Sequence, residues 1–374
     1  MTWRMPAETE PHDRAWMAWP AGGYTLGDTA AEAESARQAW AGVANAIVEH
    51  EPLTMLVPPD AVADARRWLS SEVDLVERSL DDAWYRDSGP TFVLDDEGRL
   101  GAVNWVFNGW GGQSWARWGL DADASLVATS ASGALRIDSA LVNEGGGIHT
   151  DGEGTLLVTR TVQLDPGRNP GWTEAAVEAE FARTLGIRKV IWLDRGLARD
   201  SAAFGTRGHV DLLATFASPG TVLVHDQRDP AHPDHAVSRE LVETLGGSTD
   251  AAGRTLTTVR LPAPRVTRDA EGWVDHSYVN HFVLNGAVVM GTFDDPADAE
   301  AAEILAAAYP GRRIVAVDAR PLFRRGGGVH CITQQQPAAT APTTTGTPTP
   351  TVIPAPTVIP GLTRDLTTDQ GNRP

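Results

Sequence analysis

The sequence predicts a mixed α/β fold built from one repeated supersecondary unit. A β-hairpin, a helix and a strand recur along the chain at intervals of roughly 50–70 residues, a spacing typical of radial or stacked arrays. The apolar fraction of 42% and the charged fraction of 21% are those of a globular protein. Short polar motifs flanked by glycine fall at or beside the hairpin starts, so a radial array would bring them together on its axis.

The first unit opens with a short strand at 16–20. A helix follows over 28–50, with Asp28 as its predicted N-cap and apolar residues at helical spacing from Ala30 to Ile47. A strand at 52–57, a helix near 59–70 and a strand at 73–76 complete this unit.

The later units begin with hairpins bounded by turn signals such as Asp95-Asp-Glu-Gly98 and Asn285-Gly286. A glycine-rich loop is predicted at 108–112. The other predicted elements are strands at 91–94, 102–107, 154–161, 189–193, 221–225, 287–291 and 313–317, and helices at 173–185, 236–245 and 296–309. The third and fourth hairpin units open with the segments 205–216 and 277–284.

Composition excludes several classes of function. The net charge of −18 disfavours nucleic-acid binding, which needs a basic surface, and suits a cationic small molecule. Lys189 is the only lysine, which argues against Schiff-base chemistry and a phosphate-binding loop. No apolar run is long enough for a membrane span or resembles a signal peptide, and with one cysteine this predicts a cytoplasmic protein.

The only cysteine, Cys331, lies in an unusual stretch. Three glycines, 326–328, precede it, His330 stands directly before it, and three glutamines and Pro337 follow. Taken alone, a lone cysteine is more typical of a buried structural thiol. The glycines leave room for close approach to the backbone, so the alternative is a nucleophile.

Four other residues are candidates for a shared site. His209 and Asp211 are two apart and would face the same side of a strand. Asp87 precedes a Ser-Gly-Pro turn, and Glu144 precedes three glycines. Separately they also fit a solvated strand face, a turn and a loop. Together with Cys331 they indicate covalent catalysis on a guanidinium, because carboxylates bind its planar fork through paired hydrogen bonds.

Other site types are disfavoured. A single cysteine supplies no zinc-ligand spacing. His232 and His235 lie in a proline-broken stretch that predicts a plain surface loop. The glycine runs at 109–112, 145–147 and 326–328 lack the spacing of a nucleotide-binding loop.

In these motifs the chain resembles the agmatine deiminases of the guanidine-modifying, or pentein, superfamily. The resemblance covers about 4–337 and rests on motifs that occur in order. They are Met-Pro-Ala-Glu at 5–8, Trp-Met-Ala-Trp-Pro at 16–20, Trp-Tyr-Arg-Asp-Ser-Gly-Pro-Thr-Phe at 84–92, Asn-Trp-Val-Phe-Asn-Gly-Trp-Gly-Gly at 104–112, Glu-Gly-Gly-Gly-Ile-His-Thr-Asp-Gly-Glu-Gly at 144–154, Asn-Pro at 169–170, Gly-His-Val-Asp at 208–211 and Gly-Gly-Gly-Val-His-Cys-Ile-Thr-Gln-Gln-Gln-Pro at 326–337.

The resemblance implies a five-bladed, pseudo-symmetric αβ propeller that hydrolyses agmatine to N-carbamoylputrescine and ammonia. It implies Cys331 as the nucleophile and His209 as the general acid and base. Asp87 and Asp211 would bind the guanidinium, and Glu144 would support His209. It also implies a homodimer or larger oligomer without a metal or an organic cofactor.

The chain departs from the family pattern at a few positions, and we expect these departures to affect specificity for the amine end of the substrate. The stretch before Gly208 often reads Asn-Asp-Glu-Thr-Asn in the family, but here 199–207 reads Arg-Asp-Ser-Ala-Ala-Phe-Gly-Thr-Arg. Leu212, Gly328 and Val329 also differ. The candidate neighbours of the substrate amine are Trp84, Trp110 and Asp82.

Two kinds of alternative remain open. A peptidyl-arginine deiminase, an arginine deiminase or an amidinotransferase shares the superfamily, and arginine would need a carboxylate-binding residue such as Arg86 or Arg207. A non-catalytic binding protein on the same propeller, as the ribosome anti-association factor is, would need no such cluster. We expect a catalytic domain at 1–337 and a disordered Pro/Thr/Ala-rich tail at 338–374.

Overall fold

The computed structural model of the protein describes residues 2–340. The predicted tail therefore lies almost entirely outside the described residues. Its first residues continue the folded body, because the N–H of Ala338 donates to the carbonyl of Pro11 and that of Thr340 donates to the carbonyl of Gly98.

The strands of the described residues form five sheets of three or four strands and one two-stranded ribbon. In spatial order, the first sheet is Gln334–Pro337, His12–Ala18, Leu53–Val57 and Asp74–Glu77; the second is Trp3–Arg4, Thr91–Asp95, Leu100–Val106 and Leu135–Val142; the third is Ile148–Thr150, Thr155–Thr159 and Lys189–Leu193; the fourth is Ala214–Ser218, Thr221–Asp226 and Thr257–Pro262; the fifth is Phe282–Leu284, Ala287–Thr292 and Arg313–Asp318; and the ribbon is Arg268–Asp269 with Gly272–Trp273.

All five sheets contain the same three-strand unit. An antiparallel pair is followed by a parallel strand, and a helix lies in the chain between the second and third strands. These helices are Ala30–Val48, Ser125–Ala131, Glu174–Leu185, Asp234–Gly246 and Ala297–Ala308. Shorter helical segments are Gly23–Leu26, Pro59–Ala61, Val62–Ala65, Tyr85–Ser88, Gly109–Gly112, Asp121–Asp123, Gly145–Gly147, Arg160–Gln163, Val210–Leu212, Arg320–Phe323 and His330–Ile332.

Segments distant in the chain complete the first sheet. Gln334–Pro337 pairs antiparallel with His12–Ala18, with Gln334 opposite Trp16. The indole N–H of Trp16 donates to Oε1 of Gln336 at 2.9 Å inside the sheet. Leu53–Val57, the next strand, is buried at every position, so this closure is packed on both faces.

The first helix shows how local sequence sets its boundary. The side chain of Thr29, not of Asp28, caps Ala30–Val48: it accepts the backbone N–H of Glu32, whose carboxylate accepts the N–H of Thr29 in return. The N-cap prediction is therefore one residue off, because only Thr29 stands three residues before a glutamate that completes the reciprocal pair.

The predicted helix near 59–70 is much shorter in the structure. It consists of Pro59–Ala61 and Val62–Ala65. Beyond it, the side chain of Asn45 accepts the N–H of Ser70 and donates to the carbonyl of Trp68. This contact with a neighbouring helix replaces the hydrogen bonds that a longer helix would have made.

Two further predictions are wrong in detail. His209 and Asp211 do not lie on a strand; His209 precedes the short helical turn Val210–Leu212. His232 does not lie in a plain surface loop, since it is buried with its ring 4.7 Å from that of Trp273. The predicted loop at 108–112 contains one tight turn, in which Trp110 has a φ of 56°.

The predicted placement of the polar motifs at the hairpin starts is confirmed. Each of the four lies a few residues before the first strand of an antiparallel pair: Asp87 before Thr91–Asp95, Glu144 before Ile148–Thr150, His209 before Ala214–Ser218, and Cys331 before Gln334–Pro337. Among residues 2–340, no helix combines the length and the apolar character needed to cross a membrane.

Candidate active site

Cys331 lies at the centre of a buried polar cluster and is 6% exposed. Its Sγ lies 3.2 Å from Nδ2 of Asn280 and 3.4 Å from the backbone nitrogen of Gly328, both hydrogen-bond donors. Oδ2 of Asp211 is 3.6 Å away. Burial and the carboxylates of Asp211 and Asp87 raise the pKa of the thiol well above its usual value. The thiol therefore stays protonated near neutral pH.

Asp211 has one oxygen bound and one free. Oδ2 lies 2.8 Å from Nδ1 of His330, whose Nε2 lies 3.0 Å from Oε2 of Glu8. Oδ1 of Asp211 is buried and has no partner among the described residues. Burial alone would raise the pKa of Asp211, but His330, together with His209 and Arg86, outweighs burial and lowers the pKa. An ionised carboxylate with a free buried acceptor fits one N–H of a guanidinium.

His330 is fixed between two carboxylates. Burial and Arg86 lower its pKa, yet Glu8 and Asp211 raise it further, so the net pKa is raised. With both ring nitrogens facing acceptors, the imidazolium form satisfies both. His330 thus acts as a cationic support for Asp211.

Asp87 is the second carboxylate near the thiol. Its Oδ2 accepts the indole N–H of Trp110 at 2.8 Å, and its Oδ1 accepts the backbone N–H of Gly146 at 3.1 Å. Burial raises the pKa of Asp87 to about 6, with Glu144 and Asp211 adding to the effect and His209 opposing it. Asp87 is therefore mostly ionised at neutral pH and would be stabilised further by a bound cation.

His209 lies between Asp87 and Glu144. Its Nε2 is 3.3 Å from Oε2 of Glu144, and its Nδ1 is 3.8 Å from Oδ1 of Asp87. Burial would lower the pKa of His209, but these two carboxylates outweigh it and raise the pKa to about 9. The imidazole consequently carries a proton at neutral pH and can donate it to a leaving group.

Arg168 holds Glu144 in place. Its Nε lies 2.9 and 3.0 Å from the two carboxylate oxygens, and both side chains are fully buried. Burial would raise the pKa of Glu144, but Arg168 and His209 lower it. Glu144 therefore remains a carboxylate next to the imidazole of His209.

Two glycines are required for this close packing. A Cβ on Gly146 would lie 2.6 Å from Nδ1 of His209 and 3.0 Å from Oδ1 of Asp87. A Cβ on Gly327 would lie 3.0 Å from Sγ of Cys331 and 2.7 Å from the ring of Trp84. Side chains at either position would fill the space in which the reacting groups meet.

The structure brings the five predicted catalytic residues into one cluster. Trp110 joins them through Asp87, and Trp84 borders Cys331 across Gly327. Asp82 lies beside Trp84 and lines a cavity of about 350 Å³ together with Tyr24 and Trp115. Burial raises the pKa of Asp82 to about 6.

Several site residues were not predicted from the sequence. Asn280 lies two residues before Phe282–Leu284, the first strand of the fifth sheet, and so occupies the same kind of position as the four predicted residues. Its Nδ2 faces Sγ and its Oδ1 accepts the N–H of His330 at 3.0 Å. The hairpin-start pattern could have identified it. Glu8, His330 and Arg168 gave no such signal, because their partners are distant in the chain.

Arg86 is held inside the cluster, and only its Nη2 has no hydrogen-bond partner among residues 2–340. It is buried, and its guanidinium donates to the carbonyl of His330 and to Oε1 of Gln335 at 2.7 Å. Its charge faces Glu8, 3.7 Å away. Arg207, the other candidate, is exposed. Within residues 2–340, no group of three or more His, Cys, Asp or Glu side chains is arranged to hold a metal ion.

A mixed α/β fold that buries a thiol, a histidine and several carboxylates together has the group set of covalent catalysis. The chain belongs to the Porphyromonas-type peptidyl-arginine deiminase family, whose model matches residues 4–337.

Named relatives confirm the resemblance to agmatine deiminases. A Streptomyces coelicolor protein provisionally named agmatine deiminase is 56% identical over 338 residues, which cover 90% of this chain and 99% of the relative. The agmatine deiminase of Stutzerimonas stutzeri is 37% identical over 358 residues, covering 89% and 95%. The solved structure of the Enterococcus faecalis agmatine deiminase superposes with a TM-score of 0.83 at 31% identity, covering 90% of this chain and 96% of that one.

Proposed function

We propose that this protein hydrolyses agmatine to N-carbamoylputrescine and ammonia, using Cys331 as a covalent nucleophile. The observation that carries the proposal is the pair of buried carboxylates, Asp87 and Asp211, facing one buried thiol. Carboxylates on either side of a planar cation fix its orientation through paired hydrogen bonds. The named relatives support the proposal, because their sequences align with this chain over about nine-tenths of its length.

The architecture that suits this site is a five-bladed αβ propeller comprising 1–337. Five sheets with the same three-strand unit support it. Five site residues, each at the start of one sheet, also support it, since the blade starts of a propeller converge on the axis. These residues are Asp87, Glu144, His209, Asn280 and Cys331.

Substrate binding prepares the nucleophile. The four buried carboxylates of Glu8, Asp87, Glu144 and Asp211 face four basic groups, namely Arg86, Arg168, His209 and His330. A guanidinium entering this balanced cluster adds a positive charge, which favours loss of the Cys331 proton to solvent. The thiolate and the guanidinium then enter the reaction as a neutral pair.

In the first half-reaction, the thiolate of Cys331 attacks the guanidinium carbon and forms an S–C bond. His209 gives its proton to the departing nitrogen, the C–N bond breaks, and ammonia leaves. The remaining amidino group stays on Sγ as a cationic intermediate between Asp87 and Asp211. Donation from Asn280 and from the N–H of Gly328 stabilises the sulfur anion before attack.

In the second half-reaction, water attacks the same carbon while His209 takes its proton. Collapse of the resulting adduct breaks the S–C bond, the hydroxyl proton passes to Sγ, and N-carbamoylputrescine and the free thiol of Cys331 result. One water enters and one ammonia leaves, and His209 ends in the state in which it began. Acid–base assistance of this kind contributes about 10²–10⁴-fold.

The rival substrates suit the site less well. Free arginine needs a partner for its carboxylate, and Arg86 is already occupied within the cluster. A peptidyl substrate needs an open approach, whereas the five catalytic residues are all buried. A purely binding function would not require the thiol, the histidine and the carboxylates together.

The test is turnover of agmatine, arginine and a blocked arginine peptide by the purified protein, with ureido product and ammonia measured side by side. We expect agmatine to be preferred, Cys331→Ala to abolish product, and His209→Ala to remove most turnover while agmatine still binds. Labelling of Cys331 by a haloacetamidine should be blocked by agmatine. Ammonia release by Cys331→Ala at the normal rate would contradict the mechanism.

The family resemblance also supports a cytoplasmic homodimer or larger oligomer that acts on a small cation without a metal or an organic cofactor. Light scattering on the purified protein measures the assembly directly, and turnover after treatment with a chelator tests the cofactor expectation.

A further inference from the structure

We infer that Asp275 binds the primary ammonium of the substrate and thereby selects a guanidine whose far end is a bare amine. This inference rests on the proposed function, and it concerns the end of the substrate that the catalytic cluster does not touch. This chain departs from the family sequence at 199–207, and part of that stretch, Phe204 and Gly205, lines the same cavity as Asp275.

A small cavity next to the catalytic cluster is the proposed ammonium site. It has a volume of about 40 Å³, and its walls include Phe204, Gly205, Gly326 and Asp275. Gly326 directly precedes Gly327, the residue whose backbone borders Sγ of Cys331. Gly205 lies four residues before His209. The cavity therefore adjoins backbone segments that also border the reacting groups.

Aromatic contacts connect the guanidinium end to this cavity. Trp110, which donates to Asp87, stacks on Trp115 at 5.4 Å. Trp115 packs at 5.6 Å against Phe204, which lines the cavity and stacks on Tyr24 at 5.2 Å. Such a path suits a chain of four methylenes, which with its end nitrogens spans roughly 7 Å, about the reach of two extended residues.

Asp275 is the buried carboxylate of the cavity. It is 6% exposed, it accepts its own backbone N–H, and it forms no ion pair with another residue within 2–340. Burial raises its pKa to about 7, and the nearby carboxylates of Asp200 and Asp234 add to the effect, against Arg199. A buried charge without an ion-pair partner is costly, and a cation supplied by the substrate would remove that cost.

The other charged residues around the cavity do not replace the substrate ammonium as the partner of Asp275. Arg199 is paired with Asp269 at 2.8 Å and with Glu271 at 2.7 Å. Asp200 accepts the N–H of His209 and both donors of Thr206. Arg324 also lines the cavity but is exposed to solvent, where water screens its charge.

The size of the cavity sets the chemical class of its ligand. A single water needs roughly 10–15 Å³ by a comparable measure, so about 40 Å³ holds an ammonium group with a water beside it. An ammonium and a carboxylate on one carbon, as in arginine, do not fit, and neither does a peptide backbone. Asp275 thus favours agmatine over both alternatives.

The test compares agmatine with butylguanidine, which has the same arm without the amine. We expect Asp275→Asn to lower kcat/KM for agmatine roughly 100-fold, as loss of a buried charge partner does, and to change kcat/KM for butylguanidine less than about 3-fold. Glu240→Gln is the matched control, because this carboxylate is exposed, is paired with Arg195 and lies outside the cavity. Asp82→Asn tests the other acidic cavity.

Each outcome is decisive. An equal loss for both substrates, or no loss, in Asp275→Asn overturns the inference, and so does a selective loss in Asp82→Asn alone. If the unsubstituted protein acts on neither substrate, the proposed function fails instead. Labelling of Cys331 by a haloacetamidine in Asp275→Asn confirms that the catalytic cluster is intact.

A stability readout is independent of turnover. Because the folded pKa of Asp275 is above that of an unfolded aspartate, about 3.9, its ionisation destabilises the fold progressively from pH 4 to about pH 7. Asp275→Asn should therefore raise Tm at pH 8, and the gain should disappear near pH 4. A lower Tm at pH 8 would show that the carboxylate is satisfied within the fold and would contradict the inference.

Discussion

Replacing Asp211 by asparagine should speed alkylation of Cys331 by a neutral reagent while it abolishes turnover. Oδ2 of Asp211 lies 3.6 Å from Sγ and disfavours the thiolate. At an effective dielectric of about 20, a unit charge at that distance is worth roughly 4 kcal/mol. His330 offsets part of this repulsion. Removing the Asp211 charge should therefore stabilise the thiolate of Cys331 by at least about 1.4 kcal/mol, which raises the thiolate population tenfold.

The assay measures the rate of iodoacetamide modification against pH by intact mass. An ordinary thiol has only a few per cent thiolate at pH 7, and the raised pKa of Cys331 leaves it less. The unsubstituted protein should react slowly below pH 9, and Asp211→Asn at least tenfold faster. Glu271→Gln, an exposed carboxylate elsewhere, is the control and should match the unsubstituted protein.

The two readouts separate electrostatics from misfolding. A disrupted site would also expose the thiol, so reaction in denaturant sets the upper limit, and Asp211→Asn should remain well below it. If the unsubstituted protein is modified at pH 7 as fast as a small free thiol, or if Asp211→Asn reacts more slowly, the assigned role of the carboxylate is wrong.

Three further predictions concern neighbouring groups. Turnover should fall above about pH 9 as His209 loses its proton, and Glu144→Gln should shift this alkaline limb to lower pH, because Glu144 raises the pKa of His209; an unshifted limb in the pH–rate profile would contradict the assignment. Asn280→Ala should lower kcat roughly 10–100-fold by removing the donor to Sγ, and Asn280→Asp should lower it further by adding a negative charge; equal kcat values for the two variants would argue against this. Trp110→Phe should raise KM for agmatine several-fold with a smaller effect on kcat, because loss of its N–H leaves Oδ2 of Asp87 without a donor and favours the protonated form; an unchanged KM would refute it.

Sequence reasoning succeeded where the signal is local. The strand predicted at 189–193 coincides with Lys189–Leu193, and the helix predicted at 173–185 lies within one residue of Glu174–Leu185. Apolar periodicity and turn residues are sufficient for such elements. The repeated hairpin, helix and strand were recognised for the same reason.

Sequence reasoning failed where a distant partner decides the structure. The helix near 59–70 stops early because Asn45 satisfies the backbone at Trp68 and Ser70. His232 is buried by contact with Trp273, a residue of the ribbon. Neither partner can be inferred from the residues beside them.

The residues of the candidate site were likewise predictable from the sequence only where the signal is local. Cys331 and His209 were recognisable because their motifs carry unusual glycines and acidic neighbours. The support provided by Glu8 is not readable, since Glu8 and His330 are 322 positions apart. Asn280 is intermediate: its position before a strand matches the other site residues, but its side chain carries no charge to attract attention.

The pairing of Gln334–Pro337 with His12–Ala18 makes catalysis depend on the order of synthesis. Cys331, the proposed nucleophile, and the closing strand emerge from the ribosome after all four other hairpin starts. Until this strand docks, the carboxylates and His209 can be in place without a thiol among them. A nascent or C-terminally clipped chain that lacks these residues would thus be inert toward guanidines, and activity itself would report that the chain has closed.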